Sequence, residues 1–163
     1  MGDIAVGDAV FHPGGKLLKV TAATEPMVAR PCYEVRFYWP WNGMDDEVIV
    51  ADEGHLWQVA VSERSTVACR SNPEPMRIVT TAEIAAMVEA GLFVCAACGG
   101  RRAAVRSCKR TPSVPVRCIE VDSPDGMFLA GRSLIPTHNS ALSAAIGLYM
   151  MCCDDIGAEV IVA

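Results

Sequence analysis

Pro136-Thr137-His138-Asn139-Ser140 is the stretch from which the rest of the chain can be interpreted. The side-chain amide of an Asn can attack its own backbone carbonyl, closing a succinimide and breaking the peptide bond that follows. Because both reacting groups belong to one residue, much of the entropic cost of their meeting is already met. His138 can supply or relay the proton that the leaving amine needs, and the hydroxyl of Ser140 can accept an acyl group once activated. The stretch therefore predicts self-cleavage after Asn139.

Upstream of this stretch the chain is patterned mainly for β-strands. Residues 2–21 predict a hairpin around His12-Pro13-Gly14-Gly15. A second pair of strands is predicted over residues 32–38 and 47–50, with Asn42-Gly43 in the turn and the second strand continuing to Val59. Strands are predicted again at residues 114–121, 127–130 and 134–135. These patterns favour an all-β fold up to the Asn139 site.

A single helix is predicted before residue 140. The stretch Thr80-Thr81-Ala82-Glu83 has the pattern of a capping box, apolar residues follow at helical spacing, and Gly91 lies near the expected end. Residues 92–112 are expected to form a surface connection after it. Downstream of the Asn139 site, residues 140–151 have the pattern of an apolar helix and residues 158–163 that of a buried strand, an α/β signature joined to an all-β chain.

Three cysteines in the expected surface connection suggest an alternative interpretation of this segment, a zinc-binding module. Cys95 and Cys98 have the spacing of half a zinc site, and Cys108 could add a third ligand. No second pair follows at a standard distance, so free loop thiols are favoured over a zinc-bound interaction module at residues 92–108. A zinc assay on the purified chain would distinguish the two.

Length and composition restrict the remaining possibilities. The 163 residues correspond to about one domain, and 52% hydrophobic with 20% charged residues is enough for a core. A net charge of −5 predicts no nucleic-acid surface, and no apolar run is long enough to span a membrane. The N-terminal residues do not have the pattern of a signal peptide. The eight cysteines are therefore expected to be reduced thiols in a cytoplasm.

Together the motifs resemble an intein, a self-splicing element of the Hint fold. The resemblance covers residues 2–61 and 113–140, and its middle holds no homing endonuclease, as in a mini-intein. It implies a β horseshoe with one short helix, a splicing domain at residues 1–139 with helix and linker at 79–112, and a flanking extein fragment at 140–163. The matching motifs are Gly2 to Phe11, Glu47 to Trp57 with His55 at the histidine position, Val116 to Val121 with Gly126 to Gly131, and Thr137 to Ser140.

Three residues are similar to the markers of one intein class: Trp57, Cys118 and Thr137. In that class Cys118 would attack the upstream splice junction, the acyl group would pass to Ser140, and Asn139 would cyclise. His55 would polarise or protonate the scissile amide. The resemblance implies no metal and no cofactor. A thiol suits the attacking role because it is the better nucleophile near neutral pH.

Each of these residues also has a purely structural interpretation. His55 could be a hydrogen-bonded, partly buried histidine, and Cys118 a small apolar residue of a strand. Trp57 could be a core aromatic and Thr137 could cap a turn.

The chain departs from the intein pattern at two places. Its first motif is absent from this sequence, which implies C-terminal cleavage alone or splicing in trans with an upstream piece as a partner. Gly126 and Met127 precede Phe128, where many inteins carry a histidine.

Residues 140–163 resemble part of the large subunit of a phage terminase, a DNA-packaging ATPase. Ser140 would then follow the Gly-Lys of a phosphate-binding loop and meet Mg²⁺ in the ligated product. The resemblance implies a terminase host protein in the cytoplasm of a bacterium that carries the phage. A fragment of that ATPase is the alternative function, and it lacks the preceding Gly-Lys.

Overall fold

The computed structural model describes residues 3–39, 46–63, 75–98 and 101–139, with only the backbone described at residues 97, 98 and 101. The predicted turn at Asn42-Gly43 and the predicted helix and strand after residue 139 lie outside these residues. No helix in the described part is long and apolar enough to cross a membrane.

The described elements are strands and one helix. In chain order they are β1 Ala9–Phe11, β2 Leu17–Ala23, β3 Cys32–Tyr38, β4 Glu47–Asp52, β5 Leu56–Ser62, β6 Arg77–Thr80, α1 Thr81–Glu89, β7 Phe93–Cys98, β8 Arg101–Thr111, β9 Ile119–Val121, β10 Met127–Ala130 and β11 Ile135–His138.

The strands form two antiparallel sheets. The smaller has the order β1-β2-β9, and the larger has the order β10-β11-β5-β7-β8-β3-β4 with β6 paired to β5. The larger sheet curls into a half-barrel, which confirms the expected all-β horseshoe with one short helix. The register brings His138 of β11 opposite Leu56 of β5, so the end of the last strand lies beside the start of β5.

Alternation along the strands builds the core. Successive residues of a strand point to opposite faces, and in β3 both Val35 and Phe37 are fully buried. Trp57 and Ile84 join this larger cluster, whereas a second cluster lies under the smaller sheet and includes Phe128. Both clusters approach the end of the fold where β5, β10 and β11 meet.

The predicted helix is confirmed together with its cap. The hydroxyl of Thr80 accepts a hydrogen bond from the Glu83 N–H at 3.2 Å, and the Glu83 carboxylate accepts one from the Thr80 N–H at 2.7 Å. These two bonds satisfy donors that a helix start would otherwise leave unpaired. The helix ends before Gly91, whose φ of +78° is in the left-handed region that glycine accepts readily.

The predicted surface connection at residues 92–112 is wrong. This segment forms β7 and β8, which lie inside the larger sheet between β5 and β3. Its short apolar runs contain many alanines, such as the buried Ala96, Ala103 and Ala104, and are interrupted by cysteines and basic pairs. The strand pattern was therefore weak in sequence, although small side chains suit the interior of a closely packed sheet.

The loop location expected for these thiols is wrong for the same reason. Cys95 is fully buried on β7 and Cys108 is nearly so on β8, where burial raises the pKa of its thiol to about 12. Among the described side chains no cluster of three or more His, Cys, Asp or Glu could hold a metal ion. The side chain of Cys98, the other cysteine of the zinc alternative, lies outside the described residues.

Three strand boundaries also differ from prediction. The strand expected to continue to Val59 is broken at Glu53-Gly54, because the Asp52 carboxylate accepts the Gly54 N–H at 2.8 Å and closes a turn there. Within residues 114–121 only β9 is a strand, preceded by an isolated bridge between Val116 and Met27. The last strand starts at Ile135 and extends through His138, which places Thr137 and His138 on a strand.

Candidate active site

Thr137 connects the last strand to His55. The ring Nε2 of His55 is hydrogen-bonded to the Thr137 hydroxyl. That hydroxyl donates its own proton to the Leu56 carbonyl at 3.3 Å, so its oxygen accepts the bond from the His55 N–H. The proton of a neutral His55 is thereby fixed on Nε2, and Nδ1 holds the lone pair. Thr137 is fully buried and selects the tautomer of this histidine.

His55 is neutral at pH 7. Burial lowers its pKa to about 4, the nearby Asp52 carboxylate raises it, and the charge of His138 lowers it further. A neutral imidazole with a free Nδ1 can accept a proton or a hydrogen bond. Once protonated there, it would be a strong proton donor.

Trp57 forms one wall beside His55. Its ring is fully buried and meets the imidazole edge to face, with 4.7 Å between ring centroids and 78° between planes. Its indole N–H donates to the Thr81 hydroxyl at 2.9 Å, which anchors the ring to the start of α1. Trp57 is thus a core aromatic that also fixes the imidazole.

Cys118 lines the same cleft as His55 and Trp57. The cleft has a volume of about 340 Å³, and Asp52 also contributes to its wall. The backbone of Cys118 is held by Thr24, whose hydroxyl accepts the Cys118 N–H at 3.1 Å and whose own N–H donates to the Cys118 carbonyl at 3.0 Å. The backbone of Cys118 is therefore fixed just before β9.

The ion pair between Arg30 and Asp52 affects the pKa of the Cys118 thiol. Burial raises the pKa of the Cys118 thiol, the Asp52 carboxylate raises it further, and the Arg30 guanidinium lowers it. Arg30 binds Asp52 through two hydrogen bonds of 2.7 and 3.2 Å, so the two opposite charges act on the thiol as a pair. The thiol is protonated at neutral pH and needs a base to react.

The raised pKa of the Cys118 thiol predicts how its rate of alkylation depends on pH. Because the thiolate is the nucleophile and its pKa lies above the ordinary value, alkylation by iodoacetamide should accelerate about tenfold per pH unit from about pH 7 to about pH 9. Peptide mapping would measure the rate at each cysteine. Cys118 should react well before the buried Cys32, Cys95 and Cys108, which serve as internal references. Arg30→Gln should slow the reaction at Cys118, and a rate that levels off near neutral pH would contradict the raised pKa.

Asn139 directly follows β11 and lines a different cleft, against a tight turn. Its backbone N–H donates to the Gly126 carbonyl at 3.0 Å. Its side-chain Nδ2 is buried and has no hydrogen-bond partner among residues 3–39, 46–63, 75–98 and 101–139. An amide nitrogen that donates to no fixed acceptor keeps its freedom to turn toward the carbonyl of its own residue. Gly126 has a φ of +61° and allows the carboxamide to approach closely, since a Cβ there would overlap Oδ1 of Asn139.

His138 lies beside the same turn. It lines a small cleft of about 170 Å³ with Asp125, Gly126 and Asn139. Burial lowers the pKa of His138, whereas the charge of Asp125 and a hydrogen bond with its backbone raise it. His138 is thus a neutral base at pH 7 that is placed next to Asn139.

The structure brings together most of the residues singled out from sequence. His55, Trp57 and Cys118 line one cleft, where Thr137 is hydrogen-bonded to His55, and His138 and Asn139 line a second cleft. Ser140 lies outside the described residues. Sequence reasoning missed six supporting residues: Thr24, Arg30, Asp52, Thr81, Asp125 and His12. The turn pattern Pro124-Asp125-Gly126 could have indicated Asp125.

A curled antiparallel sheet with a thiol, two imidazoles and an Asn carboxamide around its last strand defines a self-processing domain of the Hint class. No family model matches the sequence. Two solved structures are similar over most of both chains. The MchDnaB-1 intein is 37% identical with a TM-score of 0.61, covering 85% of this chain and 86% of that one. The Msm DnaB1 intein splicing domain, solved bound with zinc, is 36% identical with a TM-score of 0.61, covering 85% and 88%. The chain belongs to the intein family, and its general function is protein splicing.

The curated relatives are longer proteins. Replicative DNA helicase DnaB of Mycobacterium leprae is 39% identical over 142 residues, which are 87% of this chain and 22% of that protein. The helicase DnaB of Mycobacterium intracellulare is 40% identical over 93 residues, 52% of this chain and 15% of that protein. The chain thus spans about a fifth or less of the curated relatives that it matches.

Proposed function

We propose that splicing by this chain begins with attack of Cys118 on the carbonyl carbon of the upstream splice junction. The thiol proton passes to Nδ1 of His55, a sulfur–carbon bond forms, and the amide carbon–nitrogen bond breaks as the leaving nitrogen takes up that proton. The product is a thioester on Cys118 and a free amine. The shared cleft of Cys118 and His55, and the tautomer that Thr137 imposes, support this step.

The second step transfers the acyl group to Ser140. Its hydroxyl oxygen bonds to the thioester carbon, the carbon–sulfur bond breaks, and the hydroxyl proton returns to the Cys118 sulfur. The sequence carries this assignment, because Ser140 directly follows Asn139.

The third step releases the flank. Nδ2 of Asn139 attacks the carbonyl carbon of the same residue, the bond to the Ser140 nitrogen breaks, and one proton moves from Nδ2 to the departing amine. His138, which lines the same cleft as Asn139, would carry that proton. The ester on Ser140 then rearranges to an amide on the same residue. The observation that carries this step is the buried, unpartnered Nδ2 of Asn139 held against Gly126.

The third step can be tested on this chain as it stands. Incubation near neutral pH should release the last 24 residues, 163 less 139, and leave a C-terminal succinimide or its hydrolysis product. Intact mass measurement of the wild type and of Asn139→Ala would follow the release, which should be absent from the variant.

Asn42-Gly43 is an internal comparison, because Asn-Gly forms a succinimide readily without help but loses ammonia rather than breaking the chain. Deamidation at Asn42 with an uncut bond after Asn139 would contradict the proposed third step. Equal release from Asn139→Ala would contradict the role of Asn139.

We also propose that the flank is part of a terminase ATPase, as the sequence of residues 140–163 indicates. The curated relatives that match this chain are DnaB helicases, which are a different host protein. Sequencing the coding region around the element would separate the two hosts, because a terminase origin requires terminase sequence to continue on both sides of it.

A further inference from the structure

We propose that His12, acting through Asp125, positions the His138 ring and Asn139 for cyclisation. His12 lies just after β1, at the turn of the first hairpin, 113 residues from Asp125 in sequence. The inference rests on the proposed third step of splicing and names a residue that acts in it without touching the reacting atoms.

The hydrogen bonds around His12 fix the direction of its contact with Asp125. Its Nδ1 accepts the Gly14 N–H at 2.9 Å, so in the neutral ring the proton lies on Nε2. Nε2 therefore donates to Oδ2 of Asp125 at 3.0 Å. The His12 side chain is 22% exposed and the Asp125 side chain is 53% exposed, so only the histidine end of the contact is shielded from water.

Asp125 uses its other oxygen to close its own turn. Oδ1 accepts hydrogen bonds from the Ser123 hydroxyl and from the Met127 N–H, the latter at 3.1 Å. Burial raises the pKa of Asp125, but the bonds from Ser123, His12 and Met127 outweigh it and lower the pKa to about 2. The carboxylate is thus ionised, and each oxygen anchors a different part of the fold.

The turn held in this way faces the cleavage site. The backbone of Asp125 is hydrogen-bonded with the His138 ring, and the carbonyl of the next residue, Gly126, accepts the Asn139 N–H at 3.0 Å. Another anchor lies before the turn, where Asp122 is hydrogen-bonded to Lys19 on β2 through its backbone and side chain. His12 anchors Asp125, whose backbone is hydrogen-bonded with the His138 ring, so loss of His12 should loosen the groups that must align for attack.

The test compares two substitutions at one position. His12→Ala removes the donor to Asp125, whereas His12→Gln retains an amide N–H that can reach the same oxygen. Release of residues 140–163 should slow about tenfold in His12→Ala, as expected for one hydrogen bond to a charged group, and stay within about threefold of wild type in His12→Gln. Melting temperatures would be measured alongside. Wild-type release by His12→Ala, or equally slow release by both variants, would overturn the proposal.

A second measurement does not depend on release. In an Asn139→Ala background the chain stays whole, and its three histidines give separable ring signals in NMR spectra. His12→Ala should shift the His138 ring signals and His12→Gln should restore them, while the His55 signals stay unchanged as an internal reference. Unchanged His138 signals in His12→Ala would overturn the proposal. If the wild type released nothing but these shifts occurred, the proposed third step would fail while the positioning by His12 would stand.

Discussion

Gly126→Ala should slow release of residues 140–163 by about 100-fold or more, because a displacement of about 1 Å at a reacting group can cost that much. A Cβ at this position would overlap Oδ1 of Asn139 and lie 3.4 Å from its Cγ and from Cε1 of His138. The Asn139 side chain is the flexible partner, so it would rotate away and take Nδ2 out of line with its carbonyl. Intact mass over time would give the rate.

Gly91→Ala is the matched control for this prediction. Gly91 also has a positive φ, +78°, but a Cβ there would meet no atom within 4 Å. Both substitutions force alanine into the left-handed region, at a cost of about 1–2 kcal/mol, and only one of them touches Asn139. Comparable release from the two variants would mean that Gly126 serves the turn and not the reaction.

Trp57→Ala should lower the free energy of unfolding by about 3–5 kcal/mol. The side chain is fully buried, its ring centroid lies 5.5 Å from that of Phe37, and its N–H bond to Thr81 would be lost. Urea denaturation followed by circular dichroism would measure the change. Trp39→Ala is the comparison, because Trp39 is only partly buried against the same cluster and should cost much less.

Trp57→Ala should also raise the pKa of His55. Burial is the main cause of its low pKa of about 4, and removal of the indole wall would admit water to the imidazole. The pKa of His55 in Trp57→Ala should therefore rise toward its ordinary value, as an NMR titration would show. An unchanged pKa together with a small loss of stability would mean that Trp57 neither shields the imidazole nor anchors the core.

Short sequence patterns predicted the elements whose formation depends on a few consecutive residues. The capping box of Thr80 and Glu83 identified the helix, and the apolar alternation of residues 32–38 identified β3, since both patterns lie within a few consecutive residues. The hairpin of β7 and β8 was missed because its alanines and cysteines give no clear alternation. Its burial between β5 and β3 depends on long-range pairing that one sequence does not display.

The functional site likewise contains residues that local motifs identified and residues that they did not. Motifs identified His55, Cys118, His138 and Asn139, and the structure places these residues along two clefts. The residues that hold them in place were not predictable. His12 and Asp125 become partners only when the first hairpin folds against a turn far along the chain, and neither residue has a local feature that indicates the other.

The last strand lines one cleft through His138 and contacts His55 of the other cleft through Thr137, and this limits how the two proposed reactions can be separated. Thr137 contacts His55 on one side of β11, whereas the next residue, His138, contacts Asp125 on the other. A substitution in β11 that shifts its register would therefore disturb attack by Cys118 and release after Asn139 together. Anyone who wants an element that attacks but does not release should leave β11 unchanged and alter the turn at residues 122–126. An element that releases without attacking is best obtained by changes confined to the loop before β9.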